Sequence, residues 1–375
     1  MSLPDPASSE PKASASRPPS PLRAPWTSYL GFGLLVAAVT GCVLFATAPS
    51  PYVVERPGPV FDTLGEVEID EGETVPLIDI PDETTYPTSG QLDMLTVYID
   101  GSRDRPLAWI DVATAWFDPS RTVLPVDAVY PAGQTDEEAD EESAVAMDTS
   151  QQDAVAAALG ELDIDYTSVF VVASVVEGSA AEGVLAAGDE ILTADGATIA
   201  GVQDLRDALL AAGVGTPVDL GIRRDGAART VTVTPTAGDD GAPVIGVYAA
   251  SRYDFPIDVS IRLQNVGGPS AGMMFALAIF DKLTPGELTD GEHIAGTGTI
   301  AGDGSVGAIG GIVQKMYGAQ NAGADWFLAP SANCGDVVGR IPGGLEVFSV
   351  STLEEAIAAV EAIAEGDVAE LPRCR

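Results

Sequence analysis

Residues 266–280 read Val-Gly-Gly-Pro-Ser-Ala-Gly-Met-Met-Phe-Ala-Leu-Ala-Ile-Phe, a glycine-flanked turn that runs directly into eight apolar residues. A stretch with no polar face predicts a helix buried on all sides. Pro269 suits a first helical turn, and Ser270 stands where the helix begins, so free main-chain N–H groups there favour a developing oxyanion. Gly268 lets the backbone approach another segment closely. Two roles are open to Ser270, a helix cap or a nucleophile.

The same letters satisfy G-x-S-x-G, the nucleophile elbow of α/β-hydrolases, which needs an acid and then a histidine further along. The chain has one histidine, His293, only 23 residues beyond Ser270. That gap cannot hold the rest of a doubly wound sheet, and His293 reads as a surface or packing residue. A serine hydroxyl still needs a base, and a desolvated lysine is the remaining group able to act near neutral pH. Lysine is scarce, with only Lys12, Lys282 and Lys315. In residues 309–319, Ile-Gly-Gly-Ile-Val-Gln-Lys-Met-Tyr-Gly-Ala, a glycine pair opens a helix on which Ile312, Lys315, Met316 and Ala319 recur at i, i+3, i+4 and i+7. Lys315 therefore shares an apolar face, where desolvation lowers its pKa and leaves free amine.

Composition narrows the remaining classes. The 375 residues suffice for two or three domains, and 46% apolar against 20% charged residues supplies cores. A formal charge of −38 repels phosphate and excludes nucleic acid as a partner. One histidine and three cysteines leave no metal site, and nothing calls for a cofactor.

Residues 1–25, rich in Pro, Ser and Ala, read as a disordered cytoplasmic tail. Residues 26–48 carry no charge and would reach roughly 34 Å as a helix, which predicts a transmembrane anchor. Basic residues before it and acidic ones after it place the N-terminus in the cytoplasm and the catalytic region outside the cell, with the cell membrane as a partner. The length favours an anchor over a cleaved signal peptide, and apolar residues beyond Cys42 favour a membrane-embedded cysteine over a lipidated one. Residues 49–160 are expected as an exoplasmic β-rich region, with strands at 95–99 and 109–112, a solvated acidic loop at 136–142 and a short helix at 151–159. Cys334 and Cys374, the only cysteines on the predicted oxidising side, are expected to pair.

Residues 165–237 follow the order strand, strand, helix (202–212), then two strands joined by the hairpin pair Asp225-Gly226. With the run 175–196, Val-Val-Glu-Gly-Ser-Ala-Ala-Glu-Gly-Val-Leu-Ala-Ala-Gly-Asp-Glu-Ile-Leu-Thr-Ala-Asp-Gly, this resembles a bacterial PDZ domain and implies binding of extended peptides by strand addition.

Residues 240–368 resemble the proteolytic domain of Lon-type serine proteases. The matching stretches are Gly-Pro-Ser-Ala-Gly (268–272), Gly-Thr-Gly-Thr-Ile (296–300), Gly-Asp-Gly-Ser-Val (302–306), Ile-Gly-Gly-Ile-Val-Gln-Lys (309–315) and Gly-Ala-Asp-Trp-Phe-Leu-Ala-Pro (323–330). The resemblance implies Ser270 as nucleophile, Lys315 as base, support from Thr297 and Gly268, and a homo-oligomer. Gly267 stands where ATP-dependent relatives often carry an acid, and no G-x-x-x-x-G-K-[ST] occurs, so the chain has no P-loop for ATP hydrolysis. The whole is similar to the membrane-anchored PDZ-Lon proteases of Gram-positive bacteria. The expectation is an α+β multidomain protein comprising a transmembrane helix, a β-rich PDZ-like domain and a Lon-type α/β domain, acting as an ATP-independent endopeptidase on protein or peptide substrates. The rival is a non-catalytic PDZ scaffold or adaptor whose Lon-like domain only assembles.

Overall fold

The computed structural model describes residues 26–374 except 70, 71, 132, 134, 239 and 240. The tail expected at 1–25 lies outside the described residues. The architecture is α+β, built on two six-stranded sheets.

The site-bearing sheet runs in the order Glu346–Val350, Trp326–Pro330, His293–Gly296, Gln91–Asp100, Tyr52–Asp62, Thr122–Pro125. The first four strands are mutually parallel, and the last two add antiparallel. Side chains alternate between faces. Leu92, Met94, Ile294, Leu328 and Phe348 face a core shared with the helices Asp136–Glu161, Gly272–Leu283 and Leu353–Glu365. Leu95, Ala295, Phe327, Ala329 and Val347 face a second core with the helix Ile312–Ala322. The sheet thus separates the helix that follows Ser270 from the helix that carries Lys315.

Two strands of this sheet, Tyr52–Asp62 and Gln91–Asp100, come from the segment read as a separate exoplasmic region. Residues 95–99 are strand as expected, whereas residues 109–112 belong to the helix Trp109–Ala115. The acidic run 136–142 is not a loop but the start of the 26-residue helix Asp136–Glu161. Thr135 caps it in a reciprocal capping box with Glu138, and Asp136, Glu137 and Glu138 lie in the first turn, where the helix dipole favours negative charge.

The transmembrane expectation is corrected. The apolar segment forms the helix Trp26–Ala46, whose side chains are described from residue 30. Among the described residues no helix is long and apolar enough to cross a membrane. The single-pass placement, with its cytoplasmic N-terminus, extracellular catalytic domain and membrane partner, rested on this segment and falls with it.

The second sheet runs Ala227–Val233, Val218–Arg224, Glu190–Ala194, Thr167–Val175, Val247–Asp254, with Ala197–Thr198 on Glu190–Ala194. Its hairpin turns at Asp225 and Gly226, both at positive φ (53° and 75°), the geometry of a type I′ turn. The Arg224 guanidinium bonds buried Asp189 and holds that carboxyl below the usual range. The edge strand Val247–Asp254 lies beyond residue 237, within the stretch read as protease. Its Tyr253 hydroxyl donates to Asp153 on the long helix at 2.6 Å, and its ring packs with Tyr166 and Phe255. The two sheets therefore meet on that helix.

Cys334 and Cys374 form a disulfide that closes a separation of 40 residues and ties down the C-terminal segment. Cys374→Ser should lower the unfolding free energy by up to about 4 kcal/mol in the chain-entropy account. Denaturant titration with and without reductant checks this, and reductant should leave the variant unchanged.

Candidate active site

The turn 267–271 is shaped by close packing. Gly268 sits at φ 82°, and its N–H donates to the carbonyl of Ser143 on the long helix at 2.8 Å. A Cβ at Gly267 would collide with the Ser143 side chain, and one at Gly272 would lie 2.6 Å from Ser150 Oγ. The turn therefore packs directly on the long helix at 267, where a side chain would require Ser143 to shift. Beyond the turn, residues 273–279 are all fully buried.

On the far face, the Lys315 helix starts at Gly311, φ 66°, where a Cβ would meet Val97 at 2.8 Å. Only glycine accepts both constraints. The sheet ends between the two helices. The strand His293–Gly296 stops, Thr297 follows, and the two helices meet beyond its carboxyl end, where parallel sheets commonly hold ligands. There Lys315 Nζ donates to Ser270 Oγ at 2.6 Å and to Thr297 Oγ1 at 2.9 Å. Thr297 Oγ1 in turn donates to the Ser270 carbonyl at 2.9 Å, which also accepts from Gly298 N at 2.9 Å. With a neutral amine, the Ser270 hydroxyl can instead donate to the Nζ lone pair.

Lys315 is 2% exposed. Burial lowers its pKa to about 7, against a smaller upward pull from the Glu55 carboxylate. Burial also raises Glu55, which Lys315 partly offsets. Ser270, Lys315 and Glu55 line a cavity of about 500 Å³ with apolar walls from Phe61, Met94 and Val97. Among the described residues, the N–H groups of Ser270 and Ala271 donate to no other atom, so both remain available beside Ser270 Oγ.

Ser270, Lys315, Thr297 and Gly268 thus converge, while His293 does not. Its Nε2 pairs with buried Asp93 at 2.6 Å, four positions and about 13 Å of strand before Thr297. Sequence reasoning missed Glu55, Met147 and Ser150. Glu55 had a signal, an acid after Tyr-Val-Val in a β-rich run; Met147 and Ser150 had none beyond a helical stretch. Among the described residues no His, Cys, Asp and Glu cluster could hold a metal ion.

Residues 147–234 match the PDZ domain family, and residues 259–362 match the Lon protease (S16) C-terminal proteolytic domain. The chain is 36% identical over 110 residues to Lon protease 1 of Sorangium cellulosum, covering 28% of this chain and 13% of that protein. It is 32% identical over 107 residues to Lon protease 2 of Bacillus subtilis, covering 28% and 19%. The matched region thus spans less than a fifth of the length of either relative. A solved PDZ domain of the SdrC-like protein from Listeria innocua aligns with 22% of this chain and 92% of its own, at 29% identity and a TM-score of 0.21. By the two family matches the chain carries a PDZ domain and, after it, a Lon C-terminal proteolytic domain.

The lowered Lys315 pKa has two measurable consequences. The free amine fraction should rise through pH 7, so peptide hydrolysis should climb with an apparent pKa near 7. Between about 7 and the ordinary 10.5, the unfolded chain holds a proton that the folded chain has lost, so stability rises with pH. Below 7 both states are protonated and the burial cost is fully present. Relative to Lys315→Met, the wild type should gain about 1.4 kcal/mol per pH unit across that window in denaturant titrations.

Proposed function

We propose that this chain is an endopeptidase in which Ser270 is the nucleophile and Lys315 its general base. The observation that carries the reading is the 2.6 Å contact between Ser270 Oγ and a lysine amine that is 2% exposed. Neutral Lys315 takes the hydroxyl proton as Oγ attacks the scissile carbonyl. The tetrahedral oxyanion is met by the unpartnered N–H groups of Ser270 and Ala271. Protonated Lys315 then delivers its proton to the leaving amine, giving an acyl-enzyme and a neutral amine product. Water, deprotonated by Lys315, then attacks the acyl carbonyl, and the acyl–Oγ bond breaks as Lys315 returns that proton to Ser270 Oγ, releasing the acid. Thr297 holds Nζ on the Ser270 side, and the left-handed turn at Gly268 lifts the serine into the cavity.

The substrates in this reading are proteins in extended form, with the free edge of Val247–Asp254 open to strand addition. Cleavage proceeds without ATP hydrolysis by this chain, because its sequence holds no P-loop. A homo-oligomer, implied by the Lon resemblance, belongs to the same reading.

A fluorophosphonate probe should label the wild type and not Ser270→Ala. Absence of labelling with a folded protein would favour the scaffold reading. Lys315→Arg should abolish peptide hydrolysis, since a guanidinium stays protonated. The Ser270→Ala, Lys315→Arg double variant should be little worse than either single change. Thr297→Val should lower kcat by roughly tenfold through loss of a hydrogen bond to the amine, and Thr297→Ser should restore most of it.

A further inference from the structure

The turn that carries Ser270 is held from outside the stretch that matches the Lon proteolytic domain, which begins at residue 259. The holder is the helix Asp136–Glu161. Ser150 on that helix is 3% exposed, and its hydroxyl donates to the Pro269 carbonyl at 2.9 Å. The other donor to that carbonyl is Gly272 N, at a long 3.4 Å. About two turns earlier on the helix, the Ser143 carbonyl accepts from Gly268 N at 2.8 Å. The two contacts grip the turn on either side of Pro269.

Peptide geometry makes the Ser150 contact consequential. In a trans peptide the carbonyl and the following N–H point to opposite sides of the chain axis, and no cis bond occurs in the described chain. Drawing the Pro269 carbonyl toward the long helix therefore turns the Ser270 N–H away from it. That N–H and its neighbour on Ala271 are the unpartnered donors of the site. Without Ser150, the Pro269 carbonyl would keep only the long bond from Gly272 N, and the peptide plane could rotate to find another donor.

We propose that Ser150 is a positioning residue for the reaction, whose hydroxyl fixes the Pro269–Ser270 peptide plane so that the Ser270 N–H faces the oxyanion. This inference rests on the proposed peptidase function. Ser150 does not line the cavity beside Lys315. Its removal acts on the chemical step and leaves both substrate contact and the Lys315 environment alone.

The test compares purified full-length wild type, Ser150→Ala and Ser150→Cys by steady-state peptide hydrolysis, fluorophosphonate labelling rate and thermal melting. Ser150→Ala should lower kcat and the labelling rate by roughly tenfold, with KM changed by less than about twofold. The midpoint of the pH profile should stay where it is in the wild type. Ser150→Cys, close in size but a weaker donor, should fall between the two. A merely structural role would lower the melting temperature without separating kcat from KM. Full kcat in a folded Ser150→Ala would overturn the proposal; should that variant fail to fold, full kcat in Ser150→Cys would do so. Wild type lacking both turnover and Ser270-dependent labelling would overturn the peptidase reading, and this inference with it.

Discussion

The site depends on one costly arrangement, a lysine amine buried between two faces of a sheet with only hydroxyls in direct contact. A charged ammonium at that position loses its hydration and gains one carboxylate, Glu55, at the edge of the same cavity. Desolvation outweighs the carboxylate and brings the amine near neutrality at ordinary pH. Ser270 and Thr297 can accept from or donate to the amine, so they satisfy it in either protonation state without fixing its charge. Replacing them with a carboxylate in hydrogen-bond reach would return the lysine to its ordinary value. A Cβ at Gly267 would run into Ser143 Oγ, which would have to move for any side chain to stand there.

Much of the remaining architecture serves that burial. The strand His293–Gly296 must end early enough for Lys315 to pass its tip, and Gly296 must lack a Cβ because Met274 Sδ would lie 2.5 Å from it. Gly311 lets the lysine helix begin against Val97. The long helix closes the other side. Through Ser143 and Ser150 it grips the serine turn, and through Asp153 it meets Tyr253 of the PDZ sheet. Burial and the neighbouring Asp153 push the Tyr253 hydroxyl well above its ordinary pKa, so it remains a donor at any physiological pH. One helix thus carries contacts to both the PDZ sheet and the serine turn.

The sequence was informative where local chemistry repeats a known pattern. The apolar run after Ser270, the lysine on an apolar stripe, the Asp225-Gly226 hairpin and the helix Val202–Ala212 all follow from periodicity and turn residues, and the structure has them in place. The pairing of Cys334 with Cys374 also holds, although the argument for it leaned on a membrane topology that the structure does not support. Residues 136–142 misled because six acids in seven positions resemble solvated chain. A capping box and a favourable dipole make the same residues a good helix start.

What the sequence by itself determined is the inventory: a serine at a helix start, a scarce lysine on a helix face, a PDZ-like order of strands, and the lack of a P-loop. Those depend on neighbours within one or two turns, which is the range of propensity and periodicity. Only the tertiary structure decided that Tyr52–Asp62 and Gln91–Asp100 complete the sheet beside Ser270 and Lys315, that Val247–Asp254 edges the PDZ sheet, that Glu55 lines the same cavity, and that Ser150 bonds the Pro269 carbonyl. Ser150 lies 119 residues from Pro269. No local pattern encodes such a contact, because it arises from the packing of a whole helix against the finished sheet.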